Sequence, residues 1–361
     1  MNGESGKPLA EYSEQTAYEK WMEEEGLPVI EGYHIENVYT APLEQWERKG
    51  GKGALINLVG SELTTGCYLC EIPPGGSLKP QKHMFEEIIY ILGGRGATTV
   101  WNKGEVKQTF EWQEGSLFAI PMNAWHEHFN GSGDTSIRYI GVTNAPFMMN
   151  LFHSNDFIFN NDFVFRDRYS ADEDYFSGEG KLYRHKRIHV WESNFVSDVR
   201  GFKLFEWRER GHGSSNVFFE MADGSMSAHI SEFPVGTYKK AHRHGPGAHV
   251  IILGGEGYDL VWPDGGERMR IGLHDGCMYV PPDKWFHQHF NTGKTPLRYL
   301  ALHLRSRKHP REKSPINAGD TSLKLGGGQI EYEDEDPEIR QMFEEELAKK
   351  EIEIKMPPVS R

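Results

Sequence analysis

Residues 236–257 read GTYKKAHRHGPGAHVIILGGEG, and residues 276–291, two strands further on, read GCMYVPPDKWFHQHFN. In an extended strand the side chains of residues i and i+2 share a face, so His242 and His244 aim two imidazoles at one point. His287 supplies a third. Three neutral nitrogen donors with open positions opposite them suit a catalytic divalent cation, Fe(II) first, with Mn, Ni, Cu and Zn also compatible with such a donor set. A lone histidine in a strand is ordinarily a surface residue or a hydrogen-bonded core residue. Several of them framed by Gly236, Gly254, Gly255, Gly257, Gly276 and Pro282 call for a site. Residues 250–253 read as a buried strand between those glycines.

The spacing carries more than the residue types do. Gly236 is followed after five residues by His242-x-His244, and Gly276 after five residues by Pro282, then Lys284, His287 and Asn291. These spacings resemble the two motifs of the cupin family, G-x5-H-x-H-x3,4-E-x6-G and G-x5-P-x-G-x2-H-x3-N. The resemblance implies a double-stranded β-helix, or jelly-roll, barrel whose histidines hold a metal.

An internal repeat sets the architecture. A displacement of 161 residues places Trp46 on Trp207, Glu71 on Glu232, Pro73 on Pro234, Gly75 on Gly236 and His83 on His244. Without a gap it continues through Gly115 and Gly276, Pro121 and Pro282, His126 and His287, His128 and His289, to Asn130 and Asn291. Each copy is a series of short apolar runs separated by Gly, Pro, Asn and Asp, with 102–104 and 263–266 as corresponding hairpin turns. The expected fold is all-β, two tandem cupin barrels with short N- and C-terminal helices. It divides into an N-terminal helical arm (1–39), a first barrel (40–149), a connector (150–198), a second barrel (199–306) and a tail with a helix (307–361). The connector is rich in aromatics, among them Phe152, Phe157, Phe163 and Tyr175, so it reads as packed rather than as a tether. Residues 13–25 read as a helix capped by Ser13, with Tyr18, Trp21 and Met22 on one face and Gly26 and Pro28 as its stop. Asp336 and Pro337 open a last helix to about residue 351, read as a solvated capping arm.

Length and composition bound the function classes. A chain of 361 residues allows two or three domains. A formal net charge of −13 argues against nucleic acid or an anionic membrane as partner. The first residues lack the apolar core of a signal peptide, and no run approaches the ~20 apolar residues of a membrane span. Three cysteines are too few for a disulfide framework, which points to a reducing, cytoplasmic setting. Cys67 and Cys70 lie three apart in a strand over 65–72, so their thiols face opposite sides.

The two copies offer different ligands. In the second, Ala248 occupies the place the family gives to a glutamate, and strand parity turns His249 outward. The donor set is then three histidines, and the run HRHGPGAHVIIL is similar to the HRH motif of gentisate and salicylate ring-cleaving dioxygenases, a three-histidine Fe(II) branch of the bicupins. That branch carries an arginine near the position of Val250 for the substrate carboxylate, which this chain lacks there. The first copy presents Gln81, His83, Glu87 and His126, with Glu86 of the wrong parity. His83, Glu87 and His126 make a two-His-one-carboxylate face that also suits iron. His128 and His289 share the inward parity as neighbours of the ligands, and Trp285, Tyr299 and His303 are further inward candidates at the second barrel's mouth. These readings lead to an Fe(II) dioxygenase acting with O2 on a small aromatic or enolic oxygenated substrate, in a homo-oligomer. Two alternatives stand beside it. One is a non-redox metal-dependent isomerase, decarboxylase or lyase of a keto acid or sugar, and the other is a bicupin that binds a small molecule without catalysis.

Overall fold

The computed structural model describes residues 14–61, 63–310 and 318–359. Each copy of the repeat folds into a large sheet facing a three-stranded one. In the first copy the large sheet runs Gly51–Leu58, Gly66–Ile72, Ile137–Thr143, Glu87–Gly93, Leu117–Ile120, and Arg95–Trp101 lies between Trp125–Asn130 and Gln108–Gln113 in the small one. The second copy repeats that order with Ser215–Glu220, Ser227–Phe233, Leu297–His303, His249–Gly254 and Met278–Tyr279 against Phe286–Asn291, Gly257–Trp262 and Met269–Leu273.

Strand alternation sorts the side chains between three cores. Ile89 and Ile91 fill the interior of the first barrel, and Val250 and Ile252 that of the second. Their neighbours Ile88, Tyr90, Ile251 and Leu253 point the other way and join one cluster shared by both large sheets, which therefore pack back to back. Cys67 lies in that shared cluster and Cys70 inside the first barrel, on opposite faces of their strand. All three cysteines are buried and free.

The segments read as arm and connector are woven into both sheets. His34–Ile35, which precedes the first barrel, pairs with Met278–Tyr279 of the second, while Phe195–Val196, which precedes the second, pairs with Leu117 and Phe118 of the first. The exchange is reciprocal down to single hydrogen bonds: Val38 N–H donates to Gly276 at 2.9 Å and Val199 N–H to Gly115 at 2.9 Å. Helices α1 (Ala17–Glu25), α2 (Ala145–Phe152) and α3 (Asn155–Asn160) cover the first barrel, where Tyr18, Trp21, Met149 and Ile158 join its interior cluster. Thr16, not Ser13, caps α1, because Glu19 stands three residues after Thr16 and completes a reciprocal capping box. Ser13 lies outside the described residues. Gly26 ends α1 at φ +65°.

The tail departs from the solvated arm expected of it. Helix α4 (Pro337–Lys349) buries Ile339, Phe343 and Leu347 against Tyr238, Tyr258 and Phe290 on the outside of the second barrel. Its charged residues occupy the other face and, interleaved in sequence, obscure the apolar positions four apart. Upstream of α4 the chain runs beside the ligand strand, with Arg243 N–H donating to Gly328 at 2.9 Å and Ile330 N–H to Ala241 at 2.9 Å. Asn123 and Lys284 hold φ of 58° and 57°. Lys284 falls on the cupin motif's glycine and Asn123 is its repeat equivalent, so both keep the left-handed turn that precedes the third ligand strand.

Candidate metal centres

The second centre is built by backbone pairing. His242 N–H donates to the His287 carbonyl at 3.0 Å and His287 N–H returns a bond of 2.8 Å, which sets the two rings 3.9 Å apart between centroids. His244, two residues along, stands 4.7 Å from His287, and one donor atom from each of the three rings falls within 4.8 Å of the others. Nδ1–H of His244 donates to the Gly245 carbonyl at 2.7 Å, and Nδ1–H of His287 leans toward the Trp285 carbonyl at 3.5 Å. The Nε2 lone pairs of both rings are thereby left for a cation. Burial, with Arg305 adding to it, pushes His244 down to about 3; burial and His244 push His287 well below the usual histidine range. His242 differs, since Nη2 of Arg210 approaches its Nδ1 at 2.5 Å. A guanidinium only donates, so His242 accepts through Nδ1 and its proton sits on Nε2.

A cavity of 650 Å³ opens onto these rings. His289, Tyr299 and His303 line it. Nδ1–H of His289 donates to both carboxylate oxygens of buried Asp259 at 2.8 and 2.9 Å, which leaves its Nε2 bare beside the ligands. The Tyr299 hydroxyl accepts from Nζ of buried Lys239 at 3.0 Å. Trp285 does not line the cavity. It lies one residue before its strand begins, where strand parity does not yet apply, and its indole packs on the interior cluster 6.4 Å from the Tyr33 ring. His249 turns away from the site, as parity requires, and its Nε2 meets Thr65 Oγ1 of the first barrel at 3.0 Å.

The first centre is wholly interior: His83 is 2%, Glu87 1% and His126 0% exposed. His83 Nδ1–H donates to the Phe85 carbonyl at 2.8 Å and His126 Nδ1–H to that of Ala124 at 3.2 Å. Both bare Nε2 atoms face Glu87 Oε2, at 3.6 and 3.8 Å. These three electron-pair donors are buried, and none has a hydrogen-bond partner among the described residues. Such a convergence is costly unless a cation occupies it, so the residues fit a metal. The other carboxylate oxygen accepts from the Tyr68 hydroxyl at 2.5 Å, which in turn accepts from buried Lys49 at 3.1 Å. Burial pushes Glu87 up, but Lys49, His83 and His126 outweigh it and hold the carboxyl well below its ordinary range. Gln81 pairs with His126 as His242 pairs with His287, and its Nε2 is buried without a hydrogen-bond partner among the described residues. Glu86 points outward, accepting from Ser225 N–H at 2.8 Å and Met226 N–H at 2.9 Å across the barrel interface. His128 binds Thr98 Oγ1 through Nδ1 at 2.8 Å, and burial lowers it to about 3.

Sequence reasoning missed Arg210, His229, Arg307 and Asp320, all of which line the second cavity. A signal existed for two of them. The same displacement of 161 carries Lys49 to Arg210 and Tyr68 to His229, so the groups behind the first centre have counterparts behind the second. Asp320 comes from the tail; both its carboxylate oxygens are buried without a hydrogen-bond partner among the described residues, and burial raises its pKa.

Residues 68–142 match the cupin domain model. Over 88 residues the chain is 27% identical to a 5-aminosalicylate 1,2-dioxygenase from Comamonas sp., a stretch covering 24% of this chain and 22% of that relative. Among solved structures, a mutant of oxalate decarboxylase from Bacillus subtilis superposes with a TM-score of 0.52 at 11% identity over 87% of each chain. A second oxalate decarboxylase structure from Bacillus subtilis, studied for its Mn(II) centers, gives 0.51 at 12% identity over 87% of each chain. At such identities the likeness is one of fold. Among the described residues no helix is long and apolar enough to cross a membrane. Residues 68–142 thus match a cupin domain, and the chain, with its repeated barrel and two clusters of metal-competent side chains, has the fold of a bicupin.

Proposed function

We propose that the protein is an Fe(II)-dependent dioxygenase whose second barrel opens a small, oxygenated, anionic aromatic or enolic substrate. The observation that carries this reading is the three-histidine face of His242, His244 and His287, without a carboxylate, on the wall of a 650 Å³ cavity. Three neutral donors leave up to three positions of a six-coordinate ion open, enough for a chelating substrate and O2. The short likeness to a 5-aminosalicylate 1,2-dioxygenase supports the same direction. When bound, iron supplies the redox chemistry that side chains lack. The chain supplies the rest. His244 and His287 are held by backbone carbonyls in the ligating tautomer. His289, oriented by Asp259, keeps a bare Nε2 at the wall for a substrate proton. Arg210 and Arg307 make the cavity cationic and draw in an anion, the part that the absent arginine near Val250 plays in the three-histidine branch. The first centre, which keeps its carboxylate and whose His83, Glu87 and His126 are 2%, 1% and 0% exposed, serves as a second, structural metal site.

The test is oxygen uptake by the Fe(II)-loaded protein with gentisate, salicylates, catechols and enediols, alongside metal analysis of protein purified without added metal. Turnover that consumes O2 and disappears with His244→Ala is expected. Product formed at an undiminished rate under strict anaerobiosis, or with Zn(II) in place of Fe(II), would establish non-redox chemistry instead.

A further inference from the structure

His229 stands in the middle of the strand Ser227–Phe233, on the face that looks into the second cavity, and the motifs do not include it. Its Nδ1 lies 3.1 Å from Nε2 of His303, and His303 Nδ1 lies 3.1 Å from Ser227 Oγ. The direction of this chain is set at its far end. Ser227 Oγ lies 2.7 Å from the Arg305 carbonyl, which can only accept, so the single hydroxyl proton is used there. Toward His303 the serine must therefore accept, and His303 carries its proton on Nδ1. The His303 Nε2 is then bare and accepts from His229, whose proton is fixed on Nδ1. Nε2 of His229 is left as a lone pair with no partner among the described residues. It is not among the atoms sealed from solvent, so it opens on the cavity.

That lone pair has an unusual setting. Arg210, Arg243 and Arg307 line the same cavity and only donate hydrogen bonds. Asp320 and Asp283 line it too, but both Asp320 carboxylate oxygens and Oδ1 of Asp283 are sealed from solvent, and Oδ2 of Asp283 faces Lys284 Nζ at 3.6 Å. Burial, followed by the neighbouring His303 and Lys239, keeps His229 well below the ordinary histidine range and so uncharged. An acceptor locked in place among cationic donors selects a ligand with two features, an anionic group and a hydrogen-bond donor.

We propose that His229, held in one tautomer by the Ser227–His303 chain, is a specificity-determining acceptor for a hydroxyl or amino group on an anionic substrate of the second barrel. The proposal deepens the function argued above and rests on it for the location of the substrate. A site built to accept from such a group loses affinity for the analogue that lacks it, because the buried acceptor is then left without a partner.

The experiment is calorimetric titration of the metal-loaded full chain, under anaerobic conditions, with benzoate and its three monohydroxy derivatives. In the unaltered protein the best hydroxybenzoate is expected to bind at least about tenfold tighter than benzoate. His229→Phe should bring that ratio down about tenfold while leaving benzoate affinity and metal content within about twofold. His303→Gln, whose amide oxygen still accepts from His229, should keep the ratio, and His303→Phe should lower it. A merely structural role for His229 would weaken all four acids alike. A ratio unchanged in His229→Phe, or no discrimination by the unaltered chain, overturns the assignment. Oxygen consumption, measured separately, reports on the dioxygenase reading, so either can fail alone.

Discussion

Glu87 shows how much one side chain settles. Its Oε1 is satisfied by Tyr68, and its Oε2 faces two bare imidazole nitrogens with no proton between them. Glu87→Gln keeps the shape but removes the charge, so first-barrel metal affinity is expected to fall by at least about tenfold, read by competition with a chelator. Retention of two metals per chain at unchanged affinity would rule out the first centre as drawn. At the second centre the sensitive residue is Arg210. It holds His242 with the proton on Nε2, the opposite of what a ligand needs, so binding must expel that proton or turn the ring. Arg210→Gln offers an amide oxygen to Nδ1–H instead, and second-barrel metal affinity is expected to rise about tenfold, within the range that partners of metal ligands command. An unchanged or lower affinity by the same competition would show that Arg210 does not oppose the ion.

At the scale of elements, the ligand strands are anchored from outside the barrel. Helix α4 presses Phe343, fully buried, onto Tyr238 at 5.0 Å and Phe290 at 5.7 Å between ring centroids. Tyr238 and Phe290 flank the ligand segments, Tyr238 four residues before His242 and Phe290 three after His287. Phe343→Ala is expected to destabilise the protein by about 3–5 kcal/mol through lost burial and the cavity left behind. Urea denaturation followed by tryptophan fluorescence measures it, and a loss under about 1 kcal/mol would mean that α4 is only a loose cover. The glutamate-rich surface of this helix was legible in sequence. Its apolar stripe is harder to read, because Ile339, Phe343 and Leu347 are interleaved with six charged residues between 337 and 349.

Over the whole molecule, the two barrels meet through apolar sheet faces and a few buried polar groups, His249 among them. Burial lowers it to about 3, against about 6.5 in an unfolded chain. Between those values the unfolded chain holds the proton and the folded one does not. Stability from neutral His249 is therefore full above pH ~6.5 and is lost as pH falls toward 3, at ~1.4 kcal/mol per pH unit. His249→Asn removes that share. From pH 7.5 to 5 the variant is expected to lose about 2 kcal/mol less than the unaltered protein, by urea midpoints at each pH. Parallel losses in the two proteins would mean that His249 is solvated or already charged in the fold.

The all-β architecture, its duplication and the positions of the candidate ligands are legible in the sequence alone, because these rest on local rules. Strand alternation alone places Glu87 inward and Glu86 outward and turns His249 away from Ala248, and the contacts of Glu86 and His249 agree. A displacement of 161 aligned both barrels from Trp46 onward. The same displacement also relates Glu31 to Glu192 and Val38 to Val199, the segments that exchange strands, but the repeat there is too sparse to read without the pairing. Where protons and charges lie is set by tertiary contacts instead. The tautomer of His229 depends on a carbonyl at Arg305, 76 residues away, and the state of His242 on a guanidinium 32 residues before it. The tail returns to the cavity with Asp320 and Gly328 from beyond both motifs. Hydrogen-bond direction and burial arise from contacts between residues distant in the chain, and no local periodicity encodes them.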